Sequence, residues 1–161
     1  MRPIVMVLVG MMLMADVPIA QQPQLPSRKI LTLDLARRVA AGAEAEAKRN
    51  NWAVSIAVLD EAGHMMVFHR MDGAKLVATD IAVRKARTAV YFQGPTKALE
   101  EEVAGGRTAL LPIDGFMPLE GGIPLIVDGI LVGAIGVSGV TGSQDAQCAQ
   151  AGVRALTPGF P

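Results

Sequence analysis

His64 and His69 are the only imidazoles in the chain, and they stand five positions apart. An imidazole can ligate a metal ion or a haem iron. Side chains alternate between faces along a strand, so an odd separation on one strand sends the two rings to opposite sides. One ion cannot take both from a single chain without a bulge. Each is therefore a separate candidate for an axial haem ligand. His69, which abuts Arg70-Met71-Asp72, is better placed than His64. Met65, Met66 and Met71 add thioether sulfurs, a ligand type for iron and equally an adaptable core filler. The chain has no Cys-x-x-Cys-His, so covalent haem attachment through that motif is excluded.

The charged candidates suit a small anion. Arg70 could fork onto a carboxylate or a haem propionate, or it could pair with Asp72 and shape the loop. Lys85 offers a second positive charge, with an exposed helix lysine as the plain alternative. Glu120 precedes Gly121-Gly122, a pair that permits an unusual turn and close approach of a ligand to main-chain N–H groups. A buried Glu120 could serve as a general base; otherwise it pairs with a nearby cation at a strand end. Gly139 and Gly142 stand before the last helix without the Lys-Ser/Thr of a phosphate loop. A nucleophile elbow, a His-Glu-x-x-His zinc motif and a dinucleotide fingerprint are likewise missing. Cys148 is the single cysteine, which rules out an intrachain disulfide and a thiolate cluster. Its "AQCAQAG" setting suits a small core residue.

These residues must be held by a domain of ordinary size, since 161 residues with half of them apolar can bury one substantial core. Net charge is zero and aromatics are few. Without a basic stripe, nucleic acid is not an expected partner. At the N-terminus, Arg2 precedes an apolar run from Ile4 to Met14, followed by small residues near Ala15 and Ala20. That order is the layout of a secretory signal. The run is shorter than the roughly 20 residues needed to span a bilayer. The expectation is a signal peptide over 1–20, a linker over 21–30 and a domain over 31–157, with the mature chain periplasmic or secreted.

Within the domain, "LTLDLARRVAAGAEAEAKRNN" predicts a helix capped by Thr32, with Leu35, Val39, Ala43 and Ala47 in one stripe. Val54, Ile56 and Val58 alternate, "DEAG" turns, and Met65 to Arg70 returns as a second strand. "LVATDIAVRKARTAVYFQG" predicts a helix with a face of Val77, Ile81, Ala82, Ala86, Ala89 and Val90. Thr96 is the expected cap of a short third helix that ends at Gly105-Gly106. "RTALLPIDGFMPL" is a connection with room for a short strand. Ile123–Val127 and Ile130–Val137 form a hairpin around Asp128-Gly129. Both strands are apolar on both faces, so the sheet must be covered on both sides. Ser143 is the expected cap of the final helix. The order lacks the strand-helix alternation of a parallel sheet, and implies a single antiparallel sheet between helices.

The stretches "NNWAVSIAVLDEAGH", "HRMDGA", "KARTA", "GGRTA", "LEGGIPLIVDG" and "GAIGVSGVTGSQDAQCAQAG" run in order over about Leu31 to Leu156. The sequence resembles the GlcG/HbpS family, also known as haem-degrading or DUF336 domains. The resemblance implies an α+β, profilin-like α-β-α sandwich, with a central antiparallel sheet of about five strands and helices on both faces. It also implies a homo-oligomer (dimer, tetramer or octamer) and, in some members, haem binding. Three functions follow: a haem-binding or small-anion-binding sensor, carrier or scavenger; an enzyme acting on a small oxygenated or carboxylate metabolite through Glu120, Arg70 and Lys85; or an accessory assembly protein of a periplasmic oxidation system. The ligand-binding candidates are Arg70, Asp72, Lys85, Glu120, Gly121 and Gly122, the candidate catalytic group is Glu120, and the iron-ligand candidates are His69 and, behind it, His64.

Overall fold

The computed structural model describes residues 26–156; the expected signal peptide and half of the expected linker lie outside the described residues. Helix α1 (Leu33–Arg49) leads into the hairpin β1 (Ser55–Asp60) and β2 (Met65–Arg70). Helices α2 (Leu76–Tyr91) and α3 (Thr96–Ala104) follow, then the hairpin β3 (Gly122–Val127) and β4 (Ile130–Ser138), and finally α4 (Gly142–Leu156). All strand pairs are antiparallel and the order across the sheet is β2-β1-β4-β3. The class is α+β as expected, but among the described residues the sheet has four strands rather than about five. The segment with room for another strand holds only a 3₁₀ turn at Thr108–Leu110. Pro112, Gly115 and Pro118 interrupt it, and proline cannot donate to a ladder.

The alternation of the strands separates two apolar layers. Ile56, Val58, Ile135 and Val137 join Val39, Ala43, Cys148 and Ala149 in one core beneath α1 and α4. Ala57 and Leu59 point the other way, onto Ala82 and Ala86 of α2. Complete burial of a side chain such as Ile56 contributes about 2 kcal/mol through the apolar area it removes from water. In the β3–β4 hairpin, Asp128 and Gly129 both have positive φ, +50° and +74°, the backbone of a two-residue turn that follows the strand twist.

Local signals explain most element ends. The Thr32 hydroxyl accepts from the Leu35 N–H at 3.3 Å, while Lys48 and Arg49 occupy the last turn of α1. Two expected caps sit elsewhere. Pro95 precedes α3, and Thr96 is buried instead, its hydroxyl accepting from Gly122 N at 2.9 Å and donating to Leu119 O at 2.6 Å. At α4, Thr141 rather than Ser143 caps: its hydroxyl accepts from Gln144 N at 3.4 Å and its carbonyl from Asp145 N at 2.8 Å.

The buried face of α2 is as expected at Ala82, Ala86, Ala89 and Val90 and differs at Val77 and Ile81. It carries Ala78, Ala82, Lys85, Ala86 and Ala89, whereas Val77 is 62% exposed. The sheet beneath explains the rotation. A Cβ on Gly136 would fall 2.1 Å from Ala82 O, and one on Gly122 would fall 2.4 Å from Lys85 O. The helix backbone thus lies directly on glycines of β3 and β4. Only small residues fit along that line, so the alanines face inward and the larger Val77 turns to solvent.

Between α1 and α4, Glu46 is a polar tie. Gln147 Nε2 donates to its Oε1 at 2.6 Å, Asn50 Nδ2 donates to the same oxygen at 3.1 Å, and Arg49 pairs with Oε2. The bond from Gln147, then that from Arg49, holds the Glu46 carboxyl below the ordinary value of 4.5 despite its burial.

Two outcomes follow from this packing. Gly136→Ala should destabilise the domain by about 2–3 kcal/mol, read from the urea midpoint at an unchanged m-value. Glu46→Gln should cost about 1 kcal/mol at neutral pH. Because the folded pKa of Glu46 is depressed, its contribution is present above about 4.5 and lost as pH falls through the lower folded value. The difference between wild type and variant in denaturant titrations should therefore close as the pH drops below that range.

Candidate functional site

Lys85 lies on the inner face of α2, not on an exposed face. Its Nζ is 2.8 Å from Asp145 Oδ2 and donates to Val137 O at 3.1 Å, and both charged side chains are 3% exposed. The second Asp145 oxygen accepts from Val140 N at 3.1 Å. Burial pushes the Asp145 carboxyl above the usual aspartate range, and the opposing effect of Lys85 does not fully cancel it. Asp145, in the first turn of α4, is not among the residues that the sequence singles out. Nothing in its spacing identifies a lysine 60 residues upstream as its partner.

The pair accounts for Gly121. Its φ is +127°, and a Cβ there would lie 2.7 Å from Val137 O and 2.9 Å from Lys85 Nζ. No side chain can occupy that position while the ion pair is in place. Gly122 is equally constrained by Lys85 O and Thr96. Both glycines are thus required by packing, although they also line a cleft of about 290 Å³ with Lys97, Ala98, Ile123 and Gln150.

Glu120 sits at the junction of that cleft and a smaller one of about 190 Å³, which it shares with Lys85, Glu100, Ser138 and Asp145. Its side chain is 18% exposed, with Oε2 3.7 Å from Lys97 Nζ, and its backbone N–H donates to Glu100 Oε2 at 2.8 Å. The structure therefore brings Glu120, Gly121, Gly122 and Lys85 together. Arg70 and Asp72 belong to another place, and the expected arrangement of Glu120, Arg70 and Lys85 around one substrate is not formed: Arg70 lines a different cleft from the other two.

That other cleft, about 330 Å³, is lined by Glu44 and Lys48 of α1 and by Arg70, Met71 and Asp72 at the end of β2. No ion pair joins Arg70 to Asp72 among the described residues. The loop is instead shaped by main-chain bonds, Met71 N to Val54 O at 3.1 Å and Ala74 N to Met71 O at 3.0 Å. Beside it, His69 Nδ1 lies 2.7 Å from Glu44 Oε2, and the imidazole is 36% exposed. Lys48 and, after it, His69 hold the Glu44 carboxyl below the usual glutamate range. A carboxylate acceptor at Nδ1 assigns the proton to that nitrogen and leaves the Nε2 lone pair for a ligand.

His64 is remote in environment. It precedes β2, is 80% exposed, and its Nδ1 is 3.5 Å from Asp60 Oδ2. It lies on the wall of a third cleft, about 450 Å³, with Arg84, Arg87 and Tyr91. Cys148 is buried, and burial pushes its thiol up to about 12, so it has no thiolate character. No group of three or more His, Cys, Asp or Glu among the described residues could hold a metal ion.

An antiparallel sheet of this order, covered by α1 and α4 on one face and by α2 on the other, defines a small α-β-α sandwich of the HbpS fold. The structure of a doubly substituted HbpS from Streptomyces reticuli has a TM-score of 0.78 and 37% identity, covering 89% of this chain and 99% of that one. A PduOC–heme complex has a TM-score of 0.73 and 30% identity, covering 79% and 95%. Protein GlcG of Escherichia coli strain K12 is 45% identical over 112 residues, 70% of this chain and 84% of GlcG. The family described as haem degrading protein HbpS-like matches residues 31–154, and the chain belongs to that family.

The buried pair carries the first test of this region. Lys85→Met leaves the Asp145 carboxylate buried without its cation and should cost about 3–5 kcal/mol. The variant should regain stability as the pH is lowered and Asp145 takes up a proton. Adding Asp145→Leu should restore at least half of the loss, measured by chemical denaturation at neutral pH.

Proposed function

We propose that the protein is an exported, homo-oligomeric haem-binding member of its family, acting as a sensor, carrier or scavenger, with His69 as the iron ligand. The observation that supports it best is the 2.7 Å contact between His69 Nδ1 and Glu44 Oε2. A carboxylate on one ring nitrogen fixes the tautomer, orients the ring and raises the basicity of the other nitrogen, an arrangement common to metal-ligating histidines. The donor set suits haem in a second respect. Arg70 lines the neighbouring cleft and offers a cation for a propionate, Lys48 beside it is paired with Glu44, and Met71 adds a polarisable apolar wall.

Haem, when bound, would supply an iron centre and two carboxylates that seek cations. His69 would provide a nitrogen, Glu44 would keep the proton on the far side of that ring, and Arg70 would hold a carboxylate. His64 lacks a comparably close carboxylate and is the weaker candidate. The PduOC–heme complex, alike in fold and 30% identical, supports haem as the ligand class.

The test is a haemin titration of the purified protein beside His69→Ala and His64→Ala, following the Soret band. Saturable binding at a fixed stoichiometry is expected, with affinity at least about tenfold lower in His69→Ala and unchanged in His64→Ala. Glu44→Gln should weaken binding about tenfold, as loss of an outer carboxylate does. Non-saturating uptake identical in all the proteins would overturn the proposal.

A further inference from the structure

The third and largest of these clefts has no role in that reading. It opens between the β1–β2 turn at Gly63-His64, the outer face of α2 and the loop at Asp114-Gly115. Its volume of about 450 Å³ is within the range of small-molecule sites. Its charges are the informative feature. Arg84 is already neutralised, with Nε 2.9 Å from Asp80 Oδ2. Arg87 is only half exposed, yet no carboxylate lies within 4.0 Å of its guanidinium among the described residues. Asp114, which lines the same cleft from the loop, has no cation within the same distance among the described residues. A partly desolvated guanidinium without a partner forfeits hydration and gains nothing in return.

The cleft therefore presents one unpaired positive and one unpaired negative group, too far apart to satisfy each other. A simple anion would pair with Arg87 and meet repulsion from Asp114; a simple amine would meet the reverse. A molecule carrying both a carboxylate and an ammonium complements both groups and adds no net charge. Val83 and the ring of Tyr91 line the same cleft. That ring packs over Gly63, where a Cβ would come within 3.1 Å of Tyr91 Cε1. The two side chains offer an apolar surface to the hydrocarbon part of a ligand.

We propose that this cleft binds a small zwitterion of the amino-acid type, its carboxylate on Arg87, its ammonium on Asp114 and its apolar portion against Val83 and Tyr91. The experiment is isothermal titration calorimetry of the purified protein with L-leucine and with its two halves of charge, isocaproate (no ammonium) and isoamylamine (no carboxylate). L-Leucine is expected to bind saturably, one per chain, at least about tenfold tighter than either analogue. Arg87→Gln and Asp114→Asn should each weaken leucine binding at least about tenfold. Arg87→Gln should not weaken isoamylamine, and Asp114→Asn should not weaken isocaproate. Asp114 is exposed, so its variant retains the fold and decides the question even if Arg87→Gln does not; circular dichroism melts verify both.

His69→Ala should leave leucine binding unchanged and Arg87→Gln should leave the haemin titration unchanged, which separates this site from the proposed haem site. No saturable leucine binding, leucine no tighter than its analogues, or unaltered affinity in both variants would overturn the proposal.

Discussion

Lys85 and Asp145 meet in the interior at 2.8 Å, joining the helix on one face of the sheet to the first turn of a helix on the other. Two buried charges are expensive to desolvate, and their attraction offsets that cost only where geometry and further hydrogen bonds are good. Val137 O and Val140 N supply those bonds at either end of the link from β4 to α4. The pair thereby dictates what surrounds it. Gly121 must be glycine because the ammonium and Val137 O occupy the space a side chain would need. The resulting left-handed backbone starts β3, with Val137 N bonded to Gly121 O at 2.9 Å. Glu120, immediately before it, is turned to the junction of two clefts.

The same economy of space governs the face beneath α2. Gly122 and Gly136 remove the side-chain layer that normally separates a helix from a sheet, and the alanines of α2 remove the helix's share of it. Close approach gives dispersion contacts along the whole helix. It also admits Lys85 alone as a long inner side chain, since the lysine can extend past the end of the contact line to Asp145. Across the sheet the α1–α4 layer is tight for a related reason: a Cβ on Gly152 would fall 2.7 Å from Val39 O, and one on Gly42 2.7 Å from the Ala155 methyl.

Several local signals read correctly. The Thr32 cap, the Asp128-Gly129 turn and the two-sided apolar strands of the second hairpin each depend on neighbours in the chain, and each appears as expected. On α2 the expected face holds at Ala82, Ala86, Ala89 and Val90 and fails at Val77, because hydrophobicity favours Val77 while the constraint is volume, imposed by glycines more than 40 residues away. The cap at Ser143 fails because Thr141 is two residues earlier and already has the needed geometry. Among site residues, Glu120 and Lys85 do share a cleft, but Asp145 was invisible as a partner because a buried ion pair has no fixed spacing. Arg84 and Arg87 carry no signal in the sequence beyond being basic residues of a helix. Only the placement of Asp114 and Tyr91 around them shows that they line a cavity.

The distribution of clefts follows from this division between core and rim. Backbone-level packing and a saturated ion pair leave little adaptable space at the centre of the sandwich. Polar groups with unspent bonding capacity are consequently found where the sheet ends: His69 and Arg70 at the edge strand β2, and His64 at the turn that begins it. His64 lies in the turn before β2, and a register shift between Met65 and Val67 interrupts the alternation that would relate it to His69. His69 turns toward α1 and finds Glu44, while His64 remains on the α2 side with Arg84 and Arg87. The β1–β2 hairpin thus carries its two imidazoles to chemically different clefts. The first is suited to a ligand that needs an oriented nitrogen, and the second to one that carries opposite charges.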